Sequence, residues 1–350
     1  MTLLVGTMGL ALAAPQGSIK IQNAVGDHTY TAYQIFAGDY ANNKLSNITW
    51  GSGITEAGKS ALYTKYELSG NDQNAQKVAD TISGLSDARE VAETIGSNVT
   101  GGKTGSLSGT DYTISDLADG YYMIVDTYTG SSSENVVISR YMITKVGTAT
   151  VQNKADKPTV EKKIVEDENR VVANTANIGD EVTYEITSAV PDMTGYKEYY
   201  MTFSDTLSKG LTYKADSLEV TIAGTKLTEY KTGDKKDAGY TKTIGTYSET
   251  AGTSITVNLF DLVSRKYTKG ASIVITYKAT VNDNAVIGNG GNPNTVNLQY
   301  SNNPQNSGDG TPDNGDDGVH GITPNKVVKT FVTELTLKKV EKGTLQQYSR

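Results

Sequence analysis

The sequence predicts a mainly β protein of tandem β-sandwich domains, with helices added to the N-terminal one. Three observations carry this. With 36 Gly, 22 Tyr and only 4 Phe, and with Thr abundant, the composition suits turn-rich extracellular β-structure. Strand candidates recur between residues 159 and 300 at the spacing of a sandwich. Finally, three strand-like segments far apart in sequence carry a polar residue in an otherwise apolar row.

Those rows follow from the two-residue period of a strand. In Pro158–Val165, Lys162 shares a face with Val160 and Ile164. In Met201–Leu207, Asp205 shares a face with Phe203 and Leu207. In Asn294–Tyr300, Asn294 shares a face with Val296, Leu298 and Tyr300. Lys163 and Asn297 fall on the opposite, more polar faces. A lysine, an acid and an asparagine inside one core are costly unless they pair or react. Taken alone, the trio reads more plainly as a surface Lys, a turn Asp and a strand-start Asn.

At 350 residues the chain has room for two or three domains. The net charge of −7, without a polybasic run, argues against nucleic acid as a partner. The absence of cysteine removes disulfides, thiolate chemistry and Cys-ligated zinc. His28 and His320 are the only histidines, and both sit among polar residues as expected of solvated side chains. No cofactor or metal site is expected. Asp309, Asp313, Asp316 and Asp317 invite calcium but lack the EF-hand spacing. Paired carboxylates of a carbohydrate hydrolase stand in no recognisable site.

Residues 1–14 read as the remnant of a signal peptide, an apolar run ending in Ala11-Leu-Ala13, with the basic region expected upstream. Residues 15–150 form the first domain. Strands are expected at 17–22, 29–36, 120–126 and 135–144. Ala75, Val78, Ala79, Ile82, Leu85, Ala88, Val91, Ala92 and Ile95 recur at helical spacing, in two pieces broken near Gly84. Residues 158–304 form the all-β domain, with strands at 159–165, 180–189, 198–205, 217–222, 239–246, 254–259, 272–281 and 294–300. Gly179-Asp180 and Lys209-Gly210 mark turns. Residues 305–326 read as a polar linker or loop, and 327–350 as the first strand of a truncated further domain.

In order and spacing, these segments resemble the backbone pilins of Gram-positive bacteria, which sortases join into covalent fibres. Tyr30–Phe36, Leu45–Gly51, Asp119–Tyr122 and Ile138–Met142 resemble the family's N-terminal domain. Lys157–Lys163, Asp205–Leu211 and Asn294–Pro304 resemble its second domain. The resemblance implies immunoglobulin-like folds of the CnaA/CnaB type and an autocatalytic Lys162–Asn294 isopeptide bond with Asp205 as catalyst. Such a protein is no enzyme, because it cross-links only itself, once. Burial lowers an amine's pKa and raises a carboxyl's, so the amine becomes nucleophilic and the acid can carry a proton.

The same resemblance makes Lys339 the cross-linking lysine of a following domain. The family's Tyr-Pro-Lys motif is missing; Val151–Lys154 stands in its place, which makes Lys154, or its close competitor Lys157, the lysine that sortase joins. No Leu-Pro-x-Thr-Gly sorting signal is present in the sequence. The implied partners are other pilin subunits and a pilus-specific sortase, on a secreted, cell-wall-anchored pilus. The alternative is an ancillary pilin or adhesin that binds host matrix or glycans. Tyr196, Tyr199 and Tyr200 are the best sequence candidates for its binding face, although they also lead directly into the strand ending at Asp205. A further bond between Lys20 and Asn135 in the first domain lacks an evident acid.

Overall fold

A computed structural model describes residues 17–24, 26–41, 44–85, 89–130, 140–145, 148–152, 157–193, 196–230, 239–302 and 320–333. These fall into two compact units, one within residues 17–152 and the other within 157–333.

The first unit runs β1 (Gly17–Gln22), β2 (His28–Ala41), β3 (Lys44–Trp50), α1 (Glu56–Lys65), α2 (Ala75–Ile82), α3 (Arg89–Ile95), β4 (Lys103–Thr104), β5 (Ser106–Ser108), β6 (Asp111–Leu117), β7 (Gly120–Tyr128), β8 (Arg140–Lys145) and β9 (Thr148–Gln152). One sheet has the order β3-β2-β7-β8, with β4 also on β2; the other is β5-β6-β1-β9. Its centre is apolar on both faces. Tyr30, Ala32, Tyr122 and Ile124 pack with Ile19, Ile21 and Ile114 of the second sheet. Ile35, Phe36 and Met123 pack instead with Leu62, Val78, Val91 and Ile95 of the helices. A sheet with two apolar faces needs a layer on each, which is why helices are added here. Thr55 and Asn74 cap α1 and α2 by accepting from the Gly58 and Lys77 amides.

The helical run does divide in two, at α2 and α3. Helix α1 was not anticipated, because its residues include only one fully buried large side chain, Leu62, and show little apolar periodicity. One expectation is corrected, and one open pairing is narrowed. His28 is buried rather than solvated: its Nδ1 lies 2.7 Å from Asp126 Oδ1, and its ring packs near Tyr30 and Tyr128. Lys20 is partly exposed and pairs with Asp111 at 2.6 Å, so it does not stand in a core. Asn135 lies outside the described residues, as do residues 1–14.

The second unit contains β10 (Glu161–Glu166), β11 (Asn169–Val171), β12 (Ala173–Thr175), β13 (Glu181–Ala189), β14 (Met201–Leu207), β15 (Leu211–Tyr213), β16 (Glu219–Ile222), β17 (Thr225–Lys226), β18 (Thr241–Ile244), β19 (Thr253–Leu259), β20 (Ser272–Val281), β21 (Asn292–Ser301), β22 (His320–Ile322) and β23 (Lys326–Phe331). Two seven-stranded sheets result. One has the order β11-β10-β13-β20-β16-β17 with β15 on β20; the other has β12-β23-β21-β14-β19-β18 with β22 on β21. All eight anticipated strands of this unit are present within a few residues of their expected ends.

The C-terminal boundary differs from expectation. Strand β23, at the start of the stretch expected to open a further domain, belongs to this sandwich: it runs antiparallel to β21 and parallel to β12, and buries Val328 and Thr330, while residues 334–350 lie outside the described residues. Without it β21 would present an open edge, so the sandwich gains its closure from residues well past 304. Residues 320–323 are likewise part of the sheet rather than linker, since Thr323 exchanges hydrogen bonds of 2.9 Å with the Leu298 backbone. The acids between 309 and 317 lie outside the described residues.

This placement of β23 is testable. Val328→Asp, which puts an unpaired charge in the core, is expected to lower unfolding stability by about 3 kcal/mol or more. The exposed neighbour Lys329→Glu is expected to stay within about 0.5 kcal/mol. Equal effects in chemical denaturation would place β23 outside the sandwich.

Candidate functional site

The three polar residues singled out in the apolar rows all point into the second unit's core. Val160, Lys162 and Ile164 are buried together on β10 and the residues before it. So are Phe203, Asp205 and Leu207 on β14, and Asn294, Val296, Leu298 and Tyr300 on β21. Lys163 is only half-buried. Asn297 donates to Asn325 Oδ1 at 3.1 Å in an exposed setting.

Register brings the trio together. On the β14–β21 pair, Asp205 stands opposite Val296 and Asn294 opposite Leu207, so Asp and Asn are diagonal neighbours on one face. Lys162 comes from the facing sheet. Beside it, Tyr184 stands opposite Ile164 on β10 and opposite Tyr277 on β20. The two tyrosine rings stack at 5.5 Å, and Lys162 Nζ lies 5.5 Å and 5.2 Å from their centroids.

One hydrogen-bonded cluster results. Lys162 Nζ donates to Asp205 Oδ2 in a very short contact and to Tyr277 Oη at 3.0 Å. Tyr277 Oη donates to the same Oδ2 at 2.8 Å. Asn294 Nδ2 donates to Tyr277 Oη at 2.7 Å. The buried Oδ1 atoms of Asp205 and Asn294 have no hydrogen-bond partner among the described residues. Leaving a buried acceptor unpaired costs roughly 1–3 kcal/mol. Tyr184 Oη lies 3.2 Å from Thr330 Oγ1, which ties β23 to the edge of the site.

Electrostatics follow from dryness. Burial pushes the Lys162 amine below its ordinary value of 10.5, with the Asp205 contact opposing that shift. Burial pushes the Tyr277 phenol well above 10.0, reinforced by the nearby Asp205 carboxylate. Tyr277 therefore keeps its hydroxyl proton at neutral pH. Such an arrangement can hold an amine, an amide and an acid together away from water, with one hydroxyl between them.

Asn292, also buried, offers a contrast. Its amide is occupied by Val286 N and O and by Thr330 O at 2.8–3.1 Å, which pins the loop before β21. Lys157 is half-buried ahead of β10, while Lys154 and Lys339 lie outside the described residues. The tyrosines considered as a binding face are turned inward: Tyr199 and Tyr200 are buried, and Tyr196 packs edge-on against Tyr199 at 4.8 Å. Alternation over the expected strand 198–205 places Tyr199 on the face of Phe203 and Asp205 but does not account for Tyr200, which precedes β14. Tyr277 was missed although a signal existed. It interrupts the apolar row Ile273, Ile275, Ala279 and Val281, and a buried tyrosine hydroxyl needs a partner. Among the described residues no group of three or more His, Cys, Asp or Glu side chains could hold a metal ion.

Residues 178–304 match the family model described as Gram-positive pilin backbone subunit 2, Cna-B-like domain. That span includes Asp205, Tyr277 and Asn294 and begins after Lys162. The trypsin-resistant surface T6 protein of Streptococcus pyogenes serotype M6 is 27% identical over 343 residues, covering 92% of this chain and 59% of that protein. The solved T6 backbone pilin of serotype M6 Streptococcus pyogenes, a modular three-domain structure, aligns with a TM-score of 0.55 at 22% identity over 92% of this chain and 64% of its own. The full-length major pilin SpaD of Corynebacterium diphtheriae aligns with a TM-score of 0.48 at 18% identity, over 90% and 65% of the two chains. The chain thus spans about three fifths of the length of the T6 protein. In sequence and in fold it is similar to the backbone pilins of Gram-positive bacteria, and residues 178–304 are similar to their Cna-B-like domain.

Proposed function

We propose that this chain is a structural subunit of a covalently polymerised cell-surface pilus, and that its second domain stabilises itself by an intramolecular amide between Lys162 and Asn294. The observation that carries the reading is the buried cluster in which Lys162, Asp205 and Asn294, from strands far apart in sequence, meet through one tyrosine hydroxyl.

The chemistry is amide exchange. Lys162 passes a proton to Asp205 across their contact, which yields a neutral amine and a carboxylic acid in a medium that disfavours charge. The amine attacks Cγ of Asn294, Nδ2 leaves as ammonia, and Nζ–Cγ remains as an amide. Asp205 returns a proton toward the leaving nitrogen and accepts one from Nζ, so it ends as the carboxylic acid that the first transfer made. Folding supplies proximity, worth effective molarities up to about 10⁵–10⁸ M in well-oriented systems. The protein acts once, on itself, and needs no cofactor. Polymerisation would join Lys154 or Lys157 to the next subunit through a sortase, on the outer surface of the cell. The adhesin alternative has no observation in its favour, since its tyrosine face is internal.

The intact protein is expected to weigh less than its calculated mass by one ammonia, whereas Asn294→Ala and Asp205→Ala fold and show no deficit. A full calculated mass for the unaltered chain would sink the cross-link.

A second outcome concerns pH. Asn294→Ala leaves the amine free in its buried site. Its folded-state pKa is lowered, so the unfolded chain binds the proton more tightly. Stability should therefore rise with pH between that lowered value and 10.5, relative to a Lys162→Met/Asn294→Ala double variant. Parallel stability curves for the two would show that Lys162 is not desolvated.

In producing cells, one of Lys154→Ala and Lys157→Ala should abolish the ladder of covalent multimers while leaving monomer abundant. A ladder that survives the combined substitution would remove both from the polymerisation role.

A further inference from the structure

We infer that Tyr277 is a catalytic residue of the cross-linking reaction, relaying the proton from Asp205 to the departing nitrogen of Asn294. This rests on the reading that the Lys162–Asn294 bond forms.

Proton bookkeeping makes a relay necessary. For ammonia to leave, Nδ2 must gain a proton and Nζ must lose one. Asp205 can take the proton from Nζ directly, because the two are in contact. It cannot give one directly to Nδ2. Among the described residues no hydrogen bond joins Asp205 to Asn294, and the second carboxylate oxygen, Oδ1, has no partner. The one atom in contact with the acid and with both nitrogens is Tyr277 Oη, at 2.8 Å from Oδ2, 3.0 Å from Nζ and 2.7 Å from Nδ2.

The step balances. Protonated Asp205 gives its proton to Tyr277 Oη as Tyr277 gives its own to Nδ2. The Nδ2–Cγ bond breaks, ammonia leaves, and the Nζ proton restores Asp205. The hydroxyl is regenerated, and no oxidant or co-reactant is consumed.

Two features fit a relay better than packing alone. All the hydroxyl's partners in the cluster are groups of the proposed reaction, whereas Tyr184, stacked on the same ring, lies against Thr330 as well as Asn294 and makes no hydrogen bond to Lys162 or Asp205 among the described residues. The ring of Tyr277 also packs against two other tyrosines, Tyr184 at 5.5 Å and Tyr213 at 6.1 Å, which restricts its movement.

The test is the rate of bond formation after synthesis, followed by intact mass in a timed cell-free translation of the full chain. Tyr277→Phe keeps the ring and removes the relay. It is expected to slow ammonia loss at least about 10²-fold, the lower end of general acid–base effects. Folding is checked by comparing the thermal unfolding of Asn294→Ala with and without Tyr277→Phe. A folded Tyr277→Phe protein that cross-links as fast as the unaltered chain overturns the relay. Should the phenylalanine variant not fold, a ring-fluorinated tyrosine placed at 277 alone decides the matter. It keeps size and hydroxyl but is more acidic, so a changed rate and pH profile support the relay and an unchanged rate overturns it. If the unaltered chain loses no ammonia at all, the underlying cross-link fails, and that result is distinct from either outcome at Tyr277.

Discussion

The second unit is organised around a lysine and an aspartate shut between two sheets. Neither Lys162 nor Asp205 can reach water, and a dry ion pair seldom repays the desolvation of its members. A hydrophobic pair of the same volume would serve stability at least as well. The pair is also incompletely satisfied, with acceptor atoms unpaired on both Asp205 and Asn294. Under the proposed reaction this arrangement, poor as a resting state, gives way to an amide that replaces two charges with a neutral link. The surrounding tyrosines belong to the same constraint, since their faces accept a cation and one of their hydroxyls fills the gap between the polar groups.

Much of this was legible because a strand has a period of two. Alternation puts Lys162 wherever Val160 and Ile164 go, and ties Asp205 and Asn294 to their rows in the same way, but it is the family resemblance that favours burial of all three over a surface placement. Facing, however, is a property of one strand at a time. That Asp205 and Asn294 are diagonal neighbours, and that Lys162 approaches them from the opposite sheet, depends on register and strand order, which the alternation does not contain. Tyr277 was hidden for a related reason. A tyrosine in an apolar row looks like any other core aromatic until the strand opposite supplies partners for its hydroxyl.

The misreadings have local causes. His28 lies at a strand start, where neighbouring polar residues suggest solvent, yet tertiary contacts bury it. Strand β23 looked like the opening of something new because a long polar stretch precedes it. Its partners are β21 and β12, the latter some 150 residues earlier in sequence, and no local pattern can announce so distant a pairing.

Strand β23 also bears on what a Lys162–Asn294 bond would protect. The bond encloses residues 163–293, so under tension the enclosed strands could not be drawn out. In a chain without cysteine, such a link stands in for a disulfide, which in a loop of this length would contribute about 4–5 kcal/mol by chain entropy. Strands β22 and β23 fall outside the loop. They are held to the sandwich by pairing with β21 and β12 and by the burial of Val328 and Thr330. Force entering at residue 157 and leaving at 333 would cross the amide and then load this outer segment, whose resistance is non-covalent. The Tyr184–Thr330 contact lies at that boundary: Tyr184 touches both the strand outside the loop and Asn294, and its stacked partner Tyr277 touches Lys162, Asp205 and Asn294. Release of β23 would thus open the edge of the reactive core while leaving the enclosed strands linked, so mechanical strength and shielding of the site depend on different parts of the same sandwich.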